Sequence, residues 1–173
     1  MSTLQAPVVA VLLGTDHHPF PRLVDWVAQR VADGGTSWFV QHGATPLPSW
    51  VPGVPVLAMG GMAELLERAD AVVTHGGPGL IMDAVGAGHR PIAVPRMARL
   101  GEHVDDHQVA FVRRMAGAGV VTAVDGPGAL DRAVRDAVGR RRGRATHVPV
   151  PSARQRAAVA RFGSLVDDLV RHG

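Results

Sequence analysis

The segment DAVVTHGGPGLIMDAVGA, residues 70–87, joins an apolar strand to a helix through a short glycine-rich loop. Residues 70–74 are apolar enough to be buried on both faces, and residues 80–87 have helical spacing. Glycines let a ligand approach the backbone closely, and Pro78 suits the first turn of a helix. The free N–H groups and the helix dipole at such a turn favour a phosphate group. The loop is therefore predicted to bind phosphate.

Five residues in and around this loop are candidate ligand contacts. Gly76, Gly77 and Gly79 would line the site, and His75 ends the strand before them. Asp83 lies one turn into the helix, where a carboxylate can accept hydrogen bonds from both hydroxyls of a ribose. Each also has an interpretation without a ligand: a tight turn for the glycines, a hydrogen-bonded turn for the histidine, and a favourable helix-dipole position for the carboxylate.

Apolar runs and helical patterns alternate along the rest of the chain. Strands that are apolar on both faces, each followed by a helix, predict a parallel sheet with helices on both sides. We therefore predict an α/β fold with a single Rossmann-like, doubly wound parallel sheet that binds ligands at the carboxyl ends of its strands. The predicted strands are residues 7–13, 37–41, 54–59, 70–74, 91–95 and 120–124. The predicted helices are residues 22–32, 62–69, 80–87, 105–116 and 129–138.

Two other polar segments follow predicted strands. Gly14-Thr15-Asp16-His17-His18 lacks the G-x-G-x-x-G spacing, which argues against NAD, although its backbone and the Thr15 hydroxyl can still contact a phosphate. Residues 96–108, RMARLGEHVDDHQ, are the densest polar stretch, and Asp105 or a neighbour is predicted to cap the next helix. The side-chain types that hydrogen-bond sugar hydroxyls are supplied by Glu102, Asp106 and Gln108.

A metal site is a weaker interpretation of the histidines. His75, His103, His107 and Asp106 offer imidazole and carboxylate ligands, and two of the histidines stand four residues apart. However, no H-E-x-x-H or similar spacing supports such a site. The sequence therefore predicts no bound metal.

Composition excludes several function classes. The 173 residues, 18.2 kDa and 46% hydrophobic, suffice for one packed core. The absence of cysteine excludes disulfides, thiolate catalysis and Cys-ligated zinc, and favours a reducing compartment. Three Trp, four Phe and no Tyr, without a binding motif, argue against nucleic acid. The longest apolar run near the N terminus, residues 8–13, is too short to span a membrane, so a cytoplasmic location is expected.

Charge is distributed unevenly and helps to divide the chain. Residues 1–112 hold 6 Arg and 10 acidic residues, whereas residues 113–173 hold 12 Arg and 5 acidic residues. The basic last third is either a solvated surface or a face for an anionic ligand, a membrane or an acidic partner. We predict a Rossmann-like domain over residues 1–139, an Arg/Pro-rich linker over 140–152 and an amphipathic helix over 153–173.

The loops together resemble a known family. Residues 74–79 (THGGPG) with Asp83, followed by residues 91–96 (PIAVPR) and 101–108 (GEHVDDHQ), are similar to the C-terminal donor domain of glycosyltransferase family 28. Residues 14–23 add to the likeness, which covers roughly residues 7–125. The chain looks like the stand-alone form of that domain, the small subunit of a two-part UDP-sugar glycosyltransferase. Such subunits act on dolichol-linked sugars or in bacterial exopolysaccharide biosynthesis.

The resemblance implies one half of a GT-B glycosyltransferase that takes a UDP-sugar as substrate and needs no metal or other cofactor. Gly14 and Thr15 would face the donor phosphates, and Asp83 would hold the ribose where the family usually has Glu. Leu80 stands where relatives usually carry Ser or Thr, so a phosphate-directed hydroxyl is missing. The other implied donor-binding residues are His75, Gly76, Gly77, Gly79, Arg96, Glu102, His103, Asp106, His107 and Gln108.

The resemblance also implies a partner. A GT-B site lies between two Rossmann-like halves, and this chain has the length for one. A membrane-anchored subunit would hold a lipid-linked or polysaccharide acceptor and bring this chain to the inner face of the membrane. The reaction would be inverting transfer of a hexose, with a base supplied by the partner. Within this chain, the weak candidates for the base are His17 and His18.

Three other functions fit parts of the pattern. A non-catalytic regulatory subunit would bind the nucleotide-sugar without transferring it. A nucleotide-sugar epimerase shares this architecture but normally has both halves in one chain. A metal-dependent hydrolase would use the histidines and would reveal itself in a metal assay.

Overall fold

A computed structural model of the chain describes residues 5–144. These residues form a six-stranded parallel sheet in the order β3-β2-β1-β4-β5-β6. The α/β prediction is therefore confirmed. The strands are β1 (Val8–Leu12), β2 (Ser37–Gln41), β3 (Gly53–Val54), β4 (Ala71–His75), β5 (Ile92–Val94) and β6 (Thr122–Ala123). The helices are α1 (Pro21–Asp33), α2 (Gly61–Arg68), α3 (Pro78–Gly86), α4 (His107–Gly117) and α5 (Pro127–Arg144).

The sheet is buried on both faces. Along β1, Val9 and Val11 pack into one apolar cluster with residues of α1 and α5. Ala10 and Leu12, which point to the opposite face, pack into a second cluster with residues of α2 and α3. Because neither face meets water, the strands consist of continuous apolar runs rather than alternating ones.

The strand order places one crevice at the edge of the sheet. From β1 the chain moves outward to β2 and β3, and it then returns to the other side of β1 with β4, β5 and β6. The direction of winding therefore reverses between β1 and β4. Ligands of open parallel sheets bind outside the carboxyl ends of the strands at this reversal. The segments that follow β1 and β4 are residues 13–20 and 76–77.

The predicted strand over residues 54–59 is wrong over most of its length, because β3 ends at Val54. Pro55 follows at once, and a proline has no N–H to continue the pairing. Its carbonyl instead accepts hydrogen bonds from the Gly43 N–H at 3.0 Å and from Gln41 Nε2 at 2.8 Å. Residues 55–60 leave the sheet and cross its carboxyl edge.

The last helix is longer than predicted. α5 ends at Arg144, so it includes five residues that the sequence assigned to the linker over 140–152. Arg142 explains part of the extension, because its guanidinium donates to Asp70 Oδ2 at 3.1 Å and to the Gln5 carbonyl at 2.8 Å. Arg141 donates to the Glu67 carbonyl at 3.2 Å. These arginines therefore anchor α5 to the domain.

The remaining predicted elements agree with the structure to within two residues at each end. The predicted amphipathic helix over residues 153–173 lies outside the described residues. None of the helices between residues 5 and 144 has the length and apolar character needed to cross a bilayer.

Candidate functional site

A cavity of about 620 Å³ opens at the carboxyl ends of β1 and β4, where the winding reverses. Its volume is in the range of sites that hold nucleotide-sized ligands. One wall is residues 14–16, which follow β1, and a second is apolar, with residues 56–58 and Met62. The third wall is the loop after β4 and the start of α3, with His75, Gly77, Pro78, Gly79, Leu80 and Asp83.

The N-terminus of α3 is open toward this cavity. The helix begins at Pro78, and Gly77 before it has no side chain that could cap the first turn. The Ile81 N–H bonds to the Gly77 carbonyl at 3.4 Å. The N–H groups of Gly79 and Leu80 precede that bond and have no acceptor within the helix. Together with the helix dipole, they provide two donors for an anion in the cavity.

The glycines of the loop have different roles. The Gly76 N–H donates to Gln108 Oε1 at 3.0 Å, and a Cβ at Gly76 would stand 2.8 Å from the Gln108 Cβ. The Gly77 N–H donates to His75 Nδ1 at 3.0 Å, and a Cβ there would overlap the His75 ring. Both N–H groups are therefore taken by protein atoms. The structure gives Gly76 and Gly77 a packing role, whereas a Cβ at Gly79 would meet open space.

His75 is held as a neutral donor at the cavity wall. Nδ1 lies 3.0 Å from the Gly77 nitrogen and 3.3 Å from Gln108 Oε1, and the shorter contact, with the Gly77 N–H as donor, assigns the proton of the neutral ring to Nε2. Burial lowers the pKa of His75 to about 4; the Gln108 Oε1 atom, which would accept a hydrogen bond from a protonated ring, opposes this shift, and the positive charge of Arg96 adds to it. Nε2 lies against Gly14, where a Cβ would stand only 2.9 Å away and where φ is +75°. A glycine is therefore required at position 14.

Because the pKa of His75 is lowered, we expect the protein to lose stability as the solution becomes acidic. Between pH 6.5 and 4 the unfolded chain binds a proton at this residue that the folded chain does not. Stability is therefore lost as the pH falls through this range, by at most about 1.4 kcal/mol per pH unit. Urea unfolding of the His75→Asn variant, which keeps an acceptor for the Gly77 N–H, should show a shallower pH dependence than the wild type. Parallel curves would contradict a buried neutral His75.

Gln41, at the end of β2, is a cavity residue that sequence reasoning missed. Its Oε1 accepts the Gly14 N–H at 3.0 Å, and its Nε2 donates to the carbonyls of Gly14 at 2.9 Å and Pro55 at 2.8 Å. It thereby joins two walls of the cavity. A polar residue ending the apolar strand SWFVQ was the available signal. The apolar wall at residues 56–58 was missed because those residues were assigned to a strand.

Asp16 and His18 form a hydrogen-bonded pair beside the cavity. Asp16 Oδ1 accepts hydrogen bonds from the backbone N–H and from Nδ1 of His18, both at 2.7 Å. Burial alone would raise the pKa of Asp16, but these hydrogen bonds and the positive charge of Arg96 lower it to about 2. The carboxylate is therefore ionised and fixes the orientation of the His18 ring through its contact with Nδ1. His17, by contrast, has a side chain that is 87% exposed.

Seven of the predicted donor-binding residues do not line the cavity, and three of these are buried side chains: Arg96, Glu102 and Gln108. Arg96 is 1% exposed, and its guanidinium donates to the carbonyls of Leu13 at 3.1 Å and His18 at 2.6 Å. Glu102 is 2% exposed and forms a two-pronged ion pair with Arg22. Gln108 Oε1 is occupied by the N–H groups of Gly76 and Arg96. Most of these polar groups bond to protein atoms and hold the loops in place, although Arg96 Nε has no hydrogen-bond partner among residues 5–144.

Three further predicted residues also lie outside the cavity lining: His103 and Asp106 in the segment before α4, and His107 as the first residue of that helix. The Asp106 carboxylate accepts the Ala98 N–H at 2.9 Å, and Asp105, the predicted cap, accepts the His107 N–H at 3.0 Å. The metal site considered from the sequence does not form within residues 5–144. The possible ligand atoms of its four residues are not grouped together: His75, His103, His107 and Asp106. Instead, His103 and His107 converge on Asp105.

Comparison with known proteins identifies the family. The sequence profile of the glycosyltransferase family 28 C-terminal domain matches residues 57–157, which include β4, the glycine loop and the segment before α4. The chain belongs to the glycosyltransferase family 28 C-terminal domains. No curated protein matches the chain with significance.

Solved structures show the same fold as this family 28 domain. The glycotransferase of kitacinnamycin matches with a TM-score of 0.61 and 22% identity over 97% of this chain. SnogD from Streptomyces nogalater matches with a TM-score of 0.53 and 21% identity over 95% of this chain. MurG of Acinetobacter baumannii matches with a TM-score of 0.51 and 17% identity over 94% of this chain. This chain covers 44%, 44% and 51% of those three proteins, respectively. The family 28 domain therefore corresponds to about half of a glycosyltransferase of this fold.

Proposed function

We propose that this family 28 domain binds the UDP-sugar donor of a glycosyltransferase. The observation that carries the proposal is the cavity at the reversal between β1 and β4, with the uncapped α3 N-terminus on one wall. The N–H groups of Gly79 and Leu80, the His75 Nε2–H and the Thr15 hydroxyl bind the diphosphate. The Asp83 carboxylate, which has no hydrogen-bond or ion-pair partner in the described part of the chain, accepts the ribose hydroxyls.

Electrostatic stabilisation of the leaving group is the domain's contribution to the reaction. The bond from the anomeric carbon to the UDP oxygen breaks while a hydroxyl oxygen of the acceptor forms a new bond to that carbon with inversion. The hydroxyl proton passes to a general base. Negative charge develops on the UDP oxygen, and the α3 amides and the neutral His75 donor stabilise it in a site where they are already oriented.

The base comes from a partner subunit, since a GT-B site is completed by a second half. That partner is membrane-anchored and holds a lipid-linked or polysaccharide acceptor, which brings this domain to the inner face of the membrane. If this chain itself supplies the base, His18 is better suited than His17, because Asp16 holds its ring and would stabilise the imidazolium.

Calorimetric titration of the purified chain with UDP tests donor binding, with GDP and NAD as matched nucleotide controls. We expect UDP to bind and the two controls not to bind. If circular dichroism shows that the chain is folded and UDP does not bind, the donor-binding proposal is overturned. A transfer assay with the partner separates a catalytic half from a regulatory subunit, which would bind UDP without supporting transfer.

A further inference from the structure

Four histidines form a row beside the cavity. The ring centroids are 4.0 Å apart for His17 and His18, 5.4 Å for His18 and His103, and 4.6 Å for His103 and His107. The first two lie in the segment after β1 and the last two lie around the start of α4. Two segments distant in sequence therefore bring four imidazole rings together. The donor-binding site proposed above contains none of these four rings.

Within this row, His103, Asp105 and His107 converge on one point. Each offers one ligand atom, and the three atoms lie within 4.8 Å of one another. His103 Nδ1 is 3.6 Å from Asp105 Oδ1, and His107 Nδ1 contacts the same carboxylate oxygen. Two imidazole nitrogens and a carboxylate oxygen are a ligand set that zinc uses when it keeps a fourth position for water.

The state of the His103 ring is an independent observation that points to a ligand. Its Nδ1 is buried and has no hydrogen-bond partner among residues 5–144, in a side chain that is only 13% exposed. Its other nitrogen, Nε2, lies 3.5 Å from Asp16 Oδ2. The ring therefore lies between two carboxylates, with Nε2 facing Asp16 and Nδ1 facing Asp105. This carboxylate–histidine arrangement supports metal-binding histidines in proteins.

We propose that His103, Asp105 and His107 bind one zinc ion, with water in the fourth position. Ligands about 2.1 Å from a tetrahedral zinc stand roughly 3.4 Å apart. The separation of 3.6 Å between His103 Nδ1 and Asp105 Oδ1 already matches this value. His107 has to turn away from Asp105 to reach its position, and its side chain, which is 53% exposed, has room to do so.

The neighbouring group of Asp16, His17 and His18 is a poorer site. In both groups zinc has to replace a hydrogen bond, between Asp16 Oδ1 and His18 Nδ1 here and between Asp105 Oδ1 and His107 Nδ1 in the proposed site. The groups differ in the second imidazole, because His103 Nδ1 is buried without a partner among residues 5–144. His17 is 87% exposed and is held only by a 3.8 Å approach to Asp16. This group therefore serves as the comparison within the same histidine row.

The zinc ion would stabilise the segment that leads into α4. His107 is the first residue of that helix, and Gln108 beside it accepts the N–H groups of Gly76 and Arg96. An ion that ties residues 103–107 together therefore fixes the start of the helix that shapes the glycine loop. This role is separate from transfer, and it holds whether or not the domain binds a UDP-sugar.

The test is calorimetric titration of Zn²⁺ into the tag-free full chain after removal of metals with EDTA, with metal analysis after gel filtration. We expect one zinc per chain. His107→Gln and Asp105→Asn, both at exposed positions, should each weaken binding by about 100-fold. Asp16→Asn should weaken it by about 10- to 100-fold through His103. His17→Gln should leave the affinity for zinc unchanged. The double variant His147→Gln/His172→Gln replaces two histidines outside the described residues and should also leave it unchanged.

Three results would overturn the proposal. The first is that the wild type binds no zinc. The second is that His107→Gln and Asp105→Asn bind zinc as tightly as the wild type. The third is that His17→Gln or the double variant abolishes binding, because the ion would then lie elsewhere. Circular dichroism and the melting temperature of each metal-free variant show whether a loss of binding reflects a loss of fold.

Discussion

Replacing Asp83 with alanine is expected to raise the dissociation constant for UDP by about 10- to 100-fold. Asp83 lines the cavity, is exposed to it, and has no partner among the described residues, so its carboxylate is free for a ligand. A hydrogen bond to a charged acceptor contributes about 1.5–3 kcal/mol, and a tenfold change in affinity corresponds to about 1.4 kcal/mol. Calorimetric titration with UDP measures the change.

Two further variants sharpen this experiment. Asp25→Ala removes an exposed carboxylate from α1, away from the cavity, and should leave the dissociation constant unchanged. Asp83→Glu restores the longer side chain that the family usually carries and should bind UDP at least as tightly as the wild type. A dissociation constant that stays the same in Asp83→Ala would remove this residue from the site.

The fold could be predicted from the sequence because its strongest determinants are local. A strand buried on both faces is a continuous apolar run, as residues 7–13 and 71–73 are, and such strands with intervening helices form parallel sheets. The two larger errors have local causes that periodicity does not detect. Pro55 ends β3, and α5 continues into its arginines because Arg142 finds Asp70, 72 residues earlier in the chain.

The location of the site was also predictable, since it depends on the carboxyl ends of strands. Which side chains enter the cavity was not. Arg96 and Glu102 have the charge expected of ligand contacts, but they are buried against partners up to 83 residues away. A sequence shows the residue type and its position relative to a strand. It does not show whether a distant loop already satisfies the polar group.

The same buried groups lead to the largest expected change in stability. Arg22 donates through Nε and Nη2 to the two oxygens of Glu102, both at 2.8 Å, and through Nη2 to the Pro95 carbonyl at 2.9 Å. Glu102 is 2% exposed, and its Oε2 also accepts the Met97 N–H at 2.9 Å. The pair therefore joins α1 to the segment before α4, which carries His103 and leads to His107, the first residue of that helix.

Arg22→Met should lower the free energy of unfolding by about 3–5 kcal/mol, because it leaves the Glu102 carboxylate buried without its cation. Methionine keeps an apolar side chain beside Phe20 and Trp26 but loses the cation–π contacts of the guanidinium with both rings, so these contacts contribute to the loss as well. The double variant Arg22→Met/Glu102→Met should be more stable than the single variant, since no unpaired charge remains. Urea unfolding measures both.

Glu64→Ala is the matched control, because it breaks the exposed ion pair with Arg68, whose 3.5 Å contact joins side chains that are 70% and 71% exposed. Water already solvates those charges, so the expected change is below about 1 kcal/mol. Equal losses in Arg22→Met and Glu64→Ala would mean that burial of Glu102 carries no penalty. A double variant less stable than Arg22→Met would mean instead that the hydrogen bond from the Met97 N–H to Glu102 outweighs the cost of burying the unpaired carboxylate.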